Sequence, residues 1–279
     1  MALSGSEIEQ FIDRALAEDI GAGDITSTAV IPQSARLRAE MRSREALVVA
    51  GLDIALGVFR RLEPECRTDA LVRDGDRAAK GAALARIEGP ARGLLTAERT
   101  ALNILQHLSG IATLTRSFVE RVAGTGAVIL DTRKTVPGLR LLAKYATALG
   151  GAQNHRFGLY DGVLIKDNHI AVCGGIRAAV EAAKARGLND IEVECDDLDQ
   201  VTQALELGVS HLLLDNMDHA ALHQAVMLAK GRATTEASGG VSLETVRAIA
   251  ETGVDYISVG RITQSAPAVD IGLDYAPTA

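Results

Sequence analysis

The second part of the chain repeats one pattern six times, and this repeat restricts the possible folds more than any other feature. After Gly124, AVILDTRK precedes PGLRLLAKYATALG, GVLIKDNH precedes GGIRAAVEAAKARG, and DIEVECDD precedes LDQVTQALELG. HLLLDNM and ATTEASGG are likewise followed by helical stretches, and YISVGRIT ends the series. Short apolar strands that alternate with helices predict right-handed βαβ units and a parallel sheet. Six strands are fewer than the eight of a closed barrel, so the pattern allows an incomplete α/β barrel or an open sheet.

The first part of the chain has a different character. Ser6 and Glu9 have the spacing of a capping box and predict an N-terminal helix. From about Leu37 to Ile87, short β-like runs surround the helix-like DIALGVFRRL, and Asp-Gly in RDGDRAAKG predicts a tight turn. ERTALNILQHL, opened by Thr96, predicts a further helix. These patterns predict a small α+β layer ahead of the repeats.

The composition excludes several classes of protein. The 279 residues carry a net charge of −7, with no Trp and 3% aromatic residues, which argues against a nucleic-acid-binding protein. Cys66, Cys173 and Cys195 are scattered singly, so we expect no disulfide framework and a cytoplasmic location. The apolar runs are shorter than the ~20 residues of a membrane span, and no secretory signal or membrane partner is expected.

Polar residues follow each of the six predicted strands. They are Asp131 to Lys134, Lys166 to His169, Glu194, Asp215, Glu236 to Gly240, and Gly260 with Arg261. In parallel α/β folds, ligands bind beyond the carboxyl ends of the strands. Recurrence at six strand ends favours an active site, although a single Arg-Lys pair would more often be a solvated loop.

The strand-end residues form three chemical groups. The first group has cations suited to carboxylate or pyrophosphate oxygens: Arg133, Lys134, Arg156 and Lys166. Glu194 and Asp215 are suited to Mg²⁺ or to sugar hydroxyls. The glycines of EASGGVS and SVGRI allow backbone N–H groups to approach a phosphate, the first ahead of a helix N-terminus. Together they predict a phosphorylated sugar, a metal and a second anionic substrate.

Each of these residues also has a structural interpretation. Glu194 and Asp215 could cap the helices that follow them, and the SGG glycines could serve only turn geometry. His155 and His169 could each be a hydrogen-bonded structural histidine, the more frequent role of a single His.

The motifs resemble those of one known family. ERTALN, SGIAT, DTRKT, KYA, NHR, GVLIKDNH, VEC, LLLDN, EASGG and SVG follow one another as in quinolinate phosphoribosyltransferases. The resemblance extends from LAEDIGAGDITS to IGLDYA, nearly the whole chain, and DTRKT followed by NHR and IKDNH is highly specific. It implies transfer of a phosphoribosyl group from 5-phosphoribosyl 1-pyrophosphate (PRPP) to quinolinate, with decarboxylation to nicotinate mononucleotide in NAD biosynthesis.

The resemblance also implies a domain organisation. An N-terminal α/β sandwich would span residues 1–110 and be completed by the tail 269–279. An incomplete α/β barrel would span residues 111–268 and carry the active site. The family implies a homodimer, or a higher assembly of dimers.

The resemblance further implies residue roles. Quinolinate would meet Arg133, Lys134, His155, Arg156 and Lys166, with Arg99 reaching in from the partner subunit. PRPP and Mg²⁺ would lie against Glu194 and Asp215. The substrate-binding set is completed by residues around the 5-phosphate, namely Thr132, Ser238, Gly239, Gly240, Val259, Gly260 and Arg261. The catalytic set would be Lys134, Lys166, Glu194 and Asp215.

Two departures from the family pattern and three rival functions accompany this assignment. Ala148-Leu149 stands where bacterial members often have Arg-Cys, and Arg261 stands where they have a small residue. The rivals are a molybdenum-associated relative with another substrate, a non-catalytic PRPP sensor, and an aldolase-type barrel using Lys166 as a Schiff base. A sensor would be expected to lose Glu194 or Asp215, and both are present.

Overall fold

The computed structural model describes residues 4–277 of the chain. Its helices are α1 Gly5–Ile20, α2 Ile25–Val30, α3 Leu52–Leu62, α4 Ala91–Arg121, α5 Arg140–Gly150, α6 Asp167–Cys173, α7 Ile176–Lys184, α8 Leu198–Glu206, α9 His219–Ala229, α10 Val246–Glu251 and α11 Arg261–Gln264. Its strands are β1 Arg36–Ser43, β2 Leu47–Val48, β3 Arg67–Ala70, β4 Arg77–Ala78, β5 Ala83–Pro90, β6 Val128–Leu130, β7 Val163–Ile165, β8 Ile191–Cys195, β9 His211–Asp215, β10 Thr234–Ser238, β11 Tyr256–Ser258 and β12 Ile271–Pro277.

The chain divides into two compact units. The first contains the residues up to Thr115, Leu141–Gly150 and the residues from Ser265 onward, and the second contains Arg116–Arg140 and Gly151–Gln264. The helix α4 therefore passes through the boundary, and most of α5 groups with the first unit. Of the residues in our domain prediction, 1–3 and 278–279 lie outside the described part of the chain.

The first unit is built on a four-stranded antiparallel sheet. Its strand order is β12-β1-β5-β3, so the C-terminal strand pairs with β1, from Ser43 opposite Ile271 onward. One face of β1 is apolar because Leu37, Ala39 and Met41 alternate with exposed or half-buried charged residues. The result is a sheet with one buried face.

Two helix starts in the first unit differ from the sequence predictions. The capping box of α1 is formed by Ser4 and Glu7, not by Ser6 and Glu9. Both pairs have the required spacing, and the apolar stripe of this helix does not distinguish between them. The helix opened by Thr96 in our prediction begins earlier, at Ala91, directly after the proline that ends β5.

The second unit contains six parallel strands in the order β6-β11-β10-β9-β8-β7. The strands are short and apolar because helices cover the outer face, as Ile129, Val193 and Leu214 illustrate by their near-complete burial. Residues after or at the ends of all six strands line one pocket, so the sheet is curled. The prediction of an incomplete α/β barrel is therefore confirmed, and the open sheet is excluded.

The gap between the edge strands β6 and β7 is partly filled by a short segment. Gln153 forms a single parallel bridge with Leu130 of β6, and its backbone bonds to Ile129 and Asp131. Within residues 4–277, no helix is long and apolar enough to cross a bilayer.

Candidate active site

The carboxyl ends of the strands surround a cavity of about 380 Å³, which we call the mouth pocket. Each strand contributes at least one lining residue: Thr132 after β6, Lys166 after β7, Glu194 on β8, Asp215 on β9, Ser238 on β10 and Ser258 on β11. The sequence places five of these at polar strand ends. The structure therefore brings together residues that are more than one hundred positions apart.

Two guanidinium groups form the cationic wall of the mouth pocket. The Nε atom of Arg133 is buried and has no hydrogen-bond partner among the described residues. Burial, together with the charge of Arg133, lowers the pKa of Arg156. Arg156 is held in place because its Nη1 donates to the carbonyl of Gly162, at 3.0 Å. An unsatisfied buried N–H beside a second cation is an arrangement that an anion would complete.

Lys166 and Glu194 form an ion pair in the lining of the mouth pocket. The ammonium group of Lys166 donates to Glu194 Oε2, and the backbone N–H of Asp167 lies 3.5 Å from Oε1. Glu194 is buried, whereas Lys166 stays partly exposed. Lys166 begins α6 as its N-cap, and its backbone N–H donates to His169 Nδ1 at 2.9 Å. His169 therefore has a structural contact, in line with its alternative interpretation.

Asp215 ends β9 and is followed by a strained residue. Asn216 has a positive φ of 54°, and its side-chain NH₂ donates to Asp215 Oδ2 at 2.6 Å. Gly239 allows this arrangement, because a Cβ atom there would lie 2.0 Å from Asn216 Oδ1. The carboxylate of Asp215 is thus fixed at the mouth by the neighbouring loop.

A second cavity of about 310 Å³, which we call the glycine pocket, adjoins the mouth pocket. Thr132, Lys134, Ser238 and Ser258 line both cavities, so the two share a wall. The residues that line the glycine pocket alone include Gly239, Gly240, Ser242, Gly260 and Arg261.

Backbone geometry explains the glycines of this pocket. Gly239 and Gly240 have φ values of +94° and +60°, which side-chain-bearing residues rarely adopt. At Gly260, a Cβ atom would lie 3.0 Å from Lys134 Cδ, so glycine leaves room for that lysine. The helix α10 begins only at Val246, after a turn at Ser242, so the sequence prediction placed the helix start too near to the glycines.

His155 and Arg156 follow the bridge residue Gln153, and a buried carboxylate holds this segment. Asp131 is completely buried; its Oδ1 accepts from the backbone N–H of His155 at 2.9 Å. Its Oδ2 accepts from the Nδ2 of Asn154 at 2.6 Å. Sequence analysis recorded Asp131 only as part of a polar strand end. Its partners lie more than twenty positions away and are not visible from local patterns.

The contacts of His155 define its protonation pattern. Its Nδ1 accepts from the backbone N–H of Arg156 at 2.8 Å, so its proton lies on Nε2. The Nε2 atom lies 3.2 Å from Glu192 Oε2 and 3.5 Å from Glu236 Oε2. Both ring nitrogens are therefore engaged within the protein. A direct contact of His155 with a carboxylate ligand stays a prediction.

Glu192 was not predicted as a site residue, and the sequence showed Glu236 only as part of a polar strand end. Their side chains share the inner face of their strands with Glu194 and Ser238, one pleat period deeper in the barrel. His155, Glu192 and Glu236 form a cluster whose ligand-type atoms lie within 4.8 Å of one another, which we call the acid cluster. Below it, at the amino ends of the strands, lies a third cavity of about 260 Å³, the lower cavity.

The remaining predicted residues support the pockets through the backbone or belong to the first unit. Val259 is 1% exposed, and its backbone N–H is bonded to Leu130, so it supports the glycine pocket from behind. The Oγ1 of Thr132 accepts from the backbone N–H of Lys134 at 3.0 Å and so orders the loop. Arg99 is exposed on α4 in the first unit. In the same unit, Leu149 lies 3.6 Å from where a Gly75 Cβ would be.

The chain is similar to known proteins over nearly its whole length. The chain matches the family model of the quinolinate phosphoribosyl transferase C-terminal domain over residues 111–274 and that of its N-terminal domain over 24–109. It is 46% identical over 270 residues to a nicotinate-nucleotide pyrophosphorylase (carboxylating) of Mycobacterium leprae, covering 94% of this chain and 95% of the relative. It is 41% identical over 288 residues to a chloroplastic protein of the same name from Arabidopsis thaliana, covering 96% and 82%.

Solved structures agree with the sequence comparisons. The nicotinate-nucleotide pyrophosphorylase of Ehrlichia chaffeensis superimposes with a TM-score of 0.94 at 43% identity, covering 99% of this chain and 100% of the other. Family models, full-length relatives and structure all give the same result. The chain belongs to the quinolinate phosphoribosyl transferase family, as the sequence motifs predict.

Proposed function

We propose that the mouth pocket binds quinolinate and the glycine pocket binds the 5-phosphate of PRPP, and that the enzyme makes nicotinate mononucleotide, pyrophosphate and CO₂. The observation that carries this proposal is the orphaned, buried Nε of Arg133 beside Arg156, in a pocket that adjoins the glycine pocket. A dicarboxylate supplies the anionic acceptors that these guanidinium groups lack. The neighbouring cavity accommodates a phosphate separately.

Quinolinate recognition is assigned to the cationic side of the mouth. Arg133 and Arg156 hold its two carboxylates, with Lys134 and Lys166 beside them. Each contact is a charge-assisted hydrogen bond in a partly dry pocket, where such bonds are strongest. His155 contributes indirectly by supporting Arg156, since its ring nitrogens are engaged with Arg156 and the acid cluster.

PRPP recognition is assigned to the glycine pocket and the acidic strand ends. Backbone N–H groups at Gly239, Gly240 and Gly260 meet the 5-phosphate, together with Ser238 and Thr132. Lys134 and Arg261 add positive charge at the rim. Arg261 is exposed, so its departure from the family pattern adds a cation without filling the pocket.

Mg²⁺ is the proposed metal, with Asp215 and Glu194 as its protein ligands. Mg²⁺ is commonly held by one or two carboxylates together with substrate phosphates, and two carboxylates on adjacent strands suit this mode. Glu194 already neutralises Lys166, so Asp215 has the more available oxygen. When bound, Mg²⁺ supplies charge neutralisation at the pyrophosphate that leaves.

The reaction needs positioning more than a protein nucleophile. The ring nitrogen of quinolinate displaces pyrophosphate at the anomeric carbon, and positive charge builds on the ribose. Glu194 and Asp215 stabilise this charge electrostatically. Alkylation then makes the ring an electron sink, so the carboxylate next to the nitrogen leaves as CO₂. Holding two highly charged substrates in the reactive arrangement lowers the activation barrier by several kcal/mol.

The assembly and location follow the family pattern. A homodimer is proposed, in which Arg99 of one subunit completes the carboxylate site of the other. A cytoplasmic location fits the three free cysteines. The Schiff-base rival is disfavoured by the pairing of Lys166 with Glu194, because an ammonium held by a carboxylate is a poor nucleophile.

One assay tests the proposal. The enzyme is incubated with quinolinate, PRPP and MgCl₂, and nicotinate mononucleotide and CO₂ are measured. Nicotinate replaces quinolinate in a parallel reaction, since it has one carboxylate and no CO₂ to lose. Equal amounts of mononucleotide and CO₂ from quinolinate alone support the proposal. PRPP binding without turnover would instead favour the sensor.

A further inference from the structure

The middle of the barrel is unusual because it is polar. Barrel interiors of this type are generally filled by layers of branched apolar side chains. Here the middle layer contains Glu236 of β10 and Glu192 of β8, with His155 against both. Glu236 is 5% exposed. Buried carboxyl groups are costly, so a buried Glu236 with the half-buried Glu192 beside it calls for an explanation.

The geometry of this layer favours a bound proton. The ligand-type atoms of Glu192, Glu236 and His155 lie within 4.8 Å of one another, and two carboxyl groups this close, one of them buried, are costly to ionise together. Ser258 donates to Oε1 of Glu236, so that atom acts as an acceptor. Burial first, and the charge of Glu192 second, raise the pKa of Glu236 to about 7, against the opposing influence of His155.

Several elements bring polar or titratable groups close to Glu236. On β9 its register partner is Leu213, with His211 below and Asp215 above on the same face. On β11 its register partner is Tyr256. Arg156 lines the same two cavities, and Glu192 lies opposite. No side chain that faces Glu236 in the described structure is a full ion-pair partner other than His155.

The position of Glu236 connects the two ends of the barrel. Glu236 and His155 line both the mouth pocket and the lower cavity. At the outer rim of the lower cavity, Asp190 is highly exposed and His211 is partly exposed. A proton on Glu236 can thus face the substrate on one side, while water reaches the cluster from the other.

The proposed reaction has a step that lacks a donor. When CO₂ leaves, the electron pair of the broken carbon–carbon bond stays on the ring carbon beside the cationic nitrogen, and that carbon must gain a proton. Lys134 and Lys166 are assigned to the substrate anions, and Lys166 is also paired with Glu194. Three carboxyl groups line the mouth pocket among the described residues, and Glu236 is the one that is not assigned to the metal.

We propose that Glu236 is the acid that protonates this ring carbon, with Glu192 and His155 as positioning residues and the lower cavity as the route of resupply. This role rests on the function proposed above. The O–H bond of the Glu236 carboxyl breaks as the new C–H bond forms, leaving a carboxylate. Water in the lower cavity then returns one proton from solvent, which balances the proton gained by the product.

The test is Glu236→Gln, which keeps the size of the side chain and its contact with Ser258. In single-turnover rapid quench, wild type releases pyrophosphate and CO₂ together. The variant is expected to release pyrophosphate and accumulate quinolinate mononucleotide, with nicotinate mononucleotide formed about 100-fold more slowly, as for the loss of a general acid. Glu181→Gln, an exposed glutamate on α7, is the matched control.

A second readout identifies the donor independently of rate. In equal parts H₂O and D₂O, the ratio of H to D at the new C–H bond depends on the group that delivers the proton. We expect Glu236→Gln to change this ratio and Glu236→Asp, which keeps a carboxyl, to move it back toward wild type. If Glu236→Gln does not fold, Glu236→Asp is compared directly with wild type, and a changed ratio with slower product formation is expected.

The outcomes separate the two proposals. An inactive wild type would overturn the proposed function itself. An active wild type, with an unchanged ratio and no accumulated mononucleotide in the Glu236 variants, would overturn the role of Glu236. For the resupply route, Thr234→Met narrows the lower cavity. In this variant we expect a slower multiple-turnover rate and an unchanged single-turnover rate. Equal effects on both rates would show that protons are resupplied through the mouth pocket.

Discussion

The carboxylate of Asp131, which is completely buried, accepts a hydrogen bond from the backbone N–H of His155 at 2.9 Å. This contact spans 24 positions of the chain and holds the segment that carries Arg156. This segment pairs with β6 through a single bridge at Gln153. The carboxylate of Asp131 is therefore what keeps the segment in register with β6. Asp131 therefore positions the segment that carries Arg156, a proposed quinolinate ligand.

We expect Asp131→Asn to weaken quinolinate binding by about 10-fold, because a hydrogen bond to a charged acceptor is worth about 1.5–3 kcal/mol. PRPP binding should change little, since the glycine pocket does not depend on this segment. Isothermal titration calorimetry with each substrate measures both. Asp218→Asn, at the exposed N-cap of α9, is the control, because Asn also caps helices well. Equal losses for both substrates would contradict this account.

Arg133→Ala and Arg156→Ala should each weaken quinolinate binding by about 2–5 kcal/mol while the fold is retained, as for charged pairs in desolvated sites. Calorimetry measures the affinity, and circular dichroism checks the fold. Arg177→Ala, on the exposed surface of α7, should bind quinolinate normally. Affinity like that of wild type in both site variants would show that the dicarboxylate binds elsewhere.

Asp215→Asn should reduce turnover and raise the Mg²⁺ concentration needed for half-maximal rate, with quinolinate affinity unchanged. Glu194→Gln should affect metal response and quinolinate affinity together, because it also releases Lys166 from its ion pair. The measurement is a magnesium titration of the initial rate, with Asp196→Asn as the neighbouring exposed control. A normal magnesium response in Asp215→Asn would remove this residue from the metal site.

Quinolinate should stabilise the folded enzyme by about 2.7 kcal/mol at one hundred times its Kd, by mass action. Part of this effect relieves the unfavourable proximity of Arg133 and Arg156; burial first, and the charge of Arg133 second, lower the pKa of Arg156 in the free protein. Without ligand, Arg133→Ala should therefore unfold at a temperature no lower than wild type. Thermal unfolding with quinolinate, and with uncharged nicotinamide as control, measures this. A destabilised Arg133→Ala would point to a structural role.

Arg99→Ala and Lys166→Ala should each be nearly inactive alone and recover activity when mixed under subunit exchange. A mixed dimer contains one site with both residues intact, so random mixing restores at most about a quarter of the wild-type sites. Two impaired variants of the same site, Lys166→Ala and Asp215→Asn, should recover nothing beyond additive residual activity if their residues come from one subunit. Confirmed exchange without recovery would place Arg99 outside the partner's site.

The sequence predicted those parts of the molecule that depend on local patterns. The six strands and their polar ends follow from apolar periodicity, and the pairing of neighbours follows from the rules for βαβ units. Curling of the sheet was left open, because nothing in the alternation of strands and helices specifies how far a sheet bends. The motifs, rather than the periodicity, identified the family.

The missed residues share a physical reason. Glu236 lies in the middle of a strand, where its depth depends on how β8 and β10 face each other across the barrel. Asp131 and Glu192 likewise act through partners distant in sequence. For the first helix, Ser4 with Glu7 and Ser6 with Glu9 have identical spacing, so local chemistry alone was insufficient.

The polar middle layer has a consequence for how this enzyme could evolve. Replacement of buried ionisable groups by well-packed apolar residues is often neutral or stabilising. A population selected for heat resistance alone would therefore tend to acquire Leu in place of Glu192 and Glu236. Selection that also demands growth on quinolinate would retain both carboxyl groups and accept a lower melting temperature. The polar interior of the barrel thus trades thermal stability for catalytic turnover.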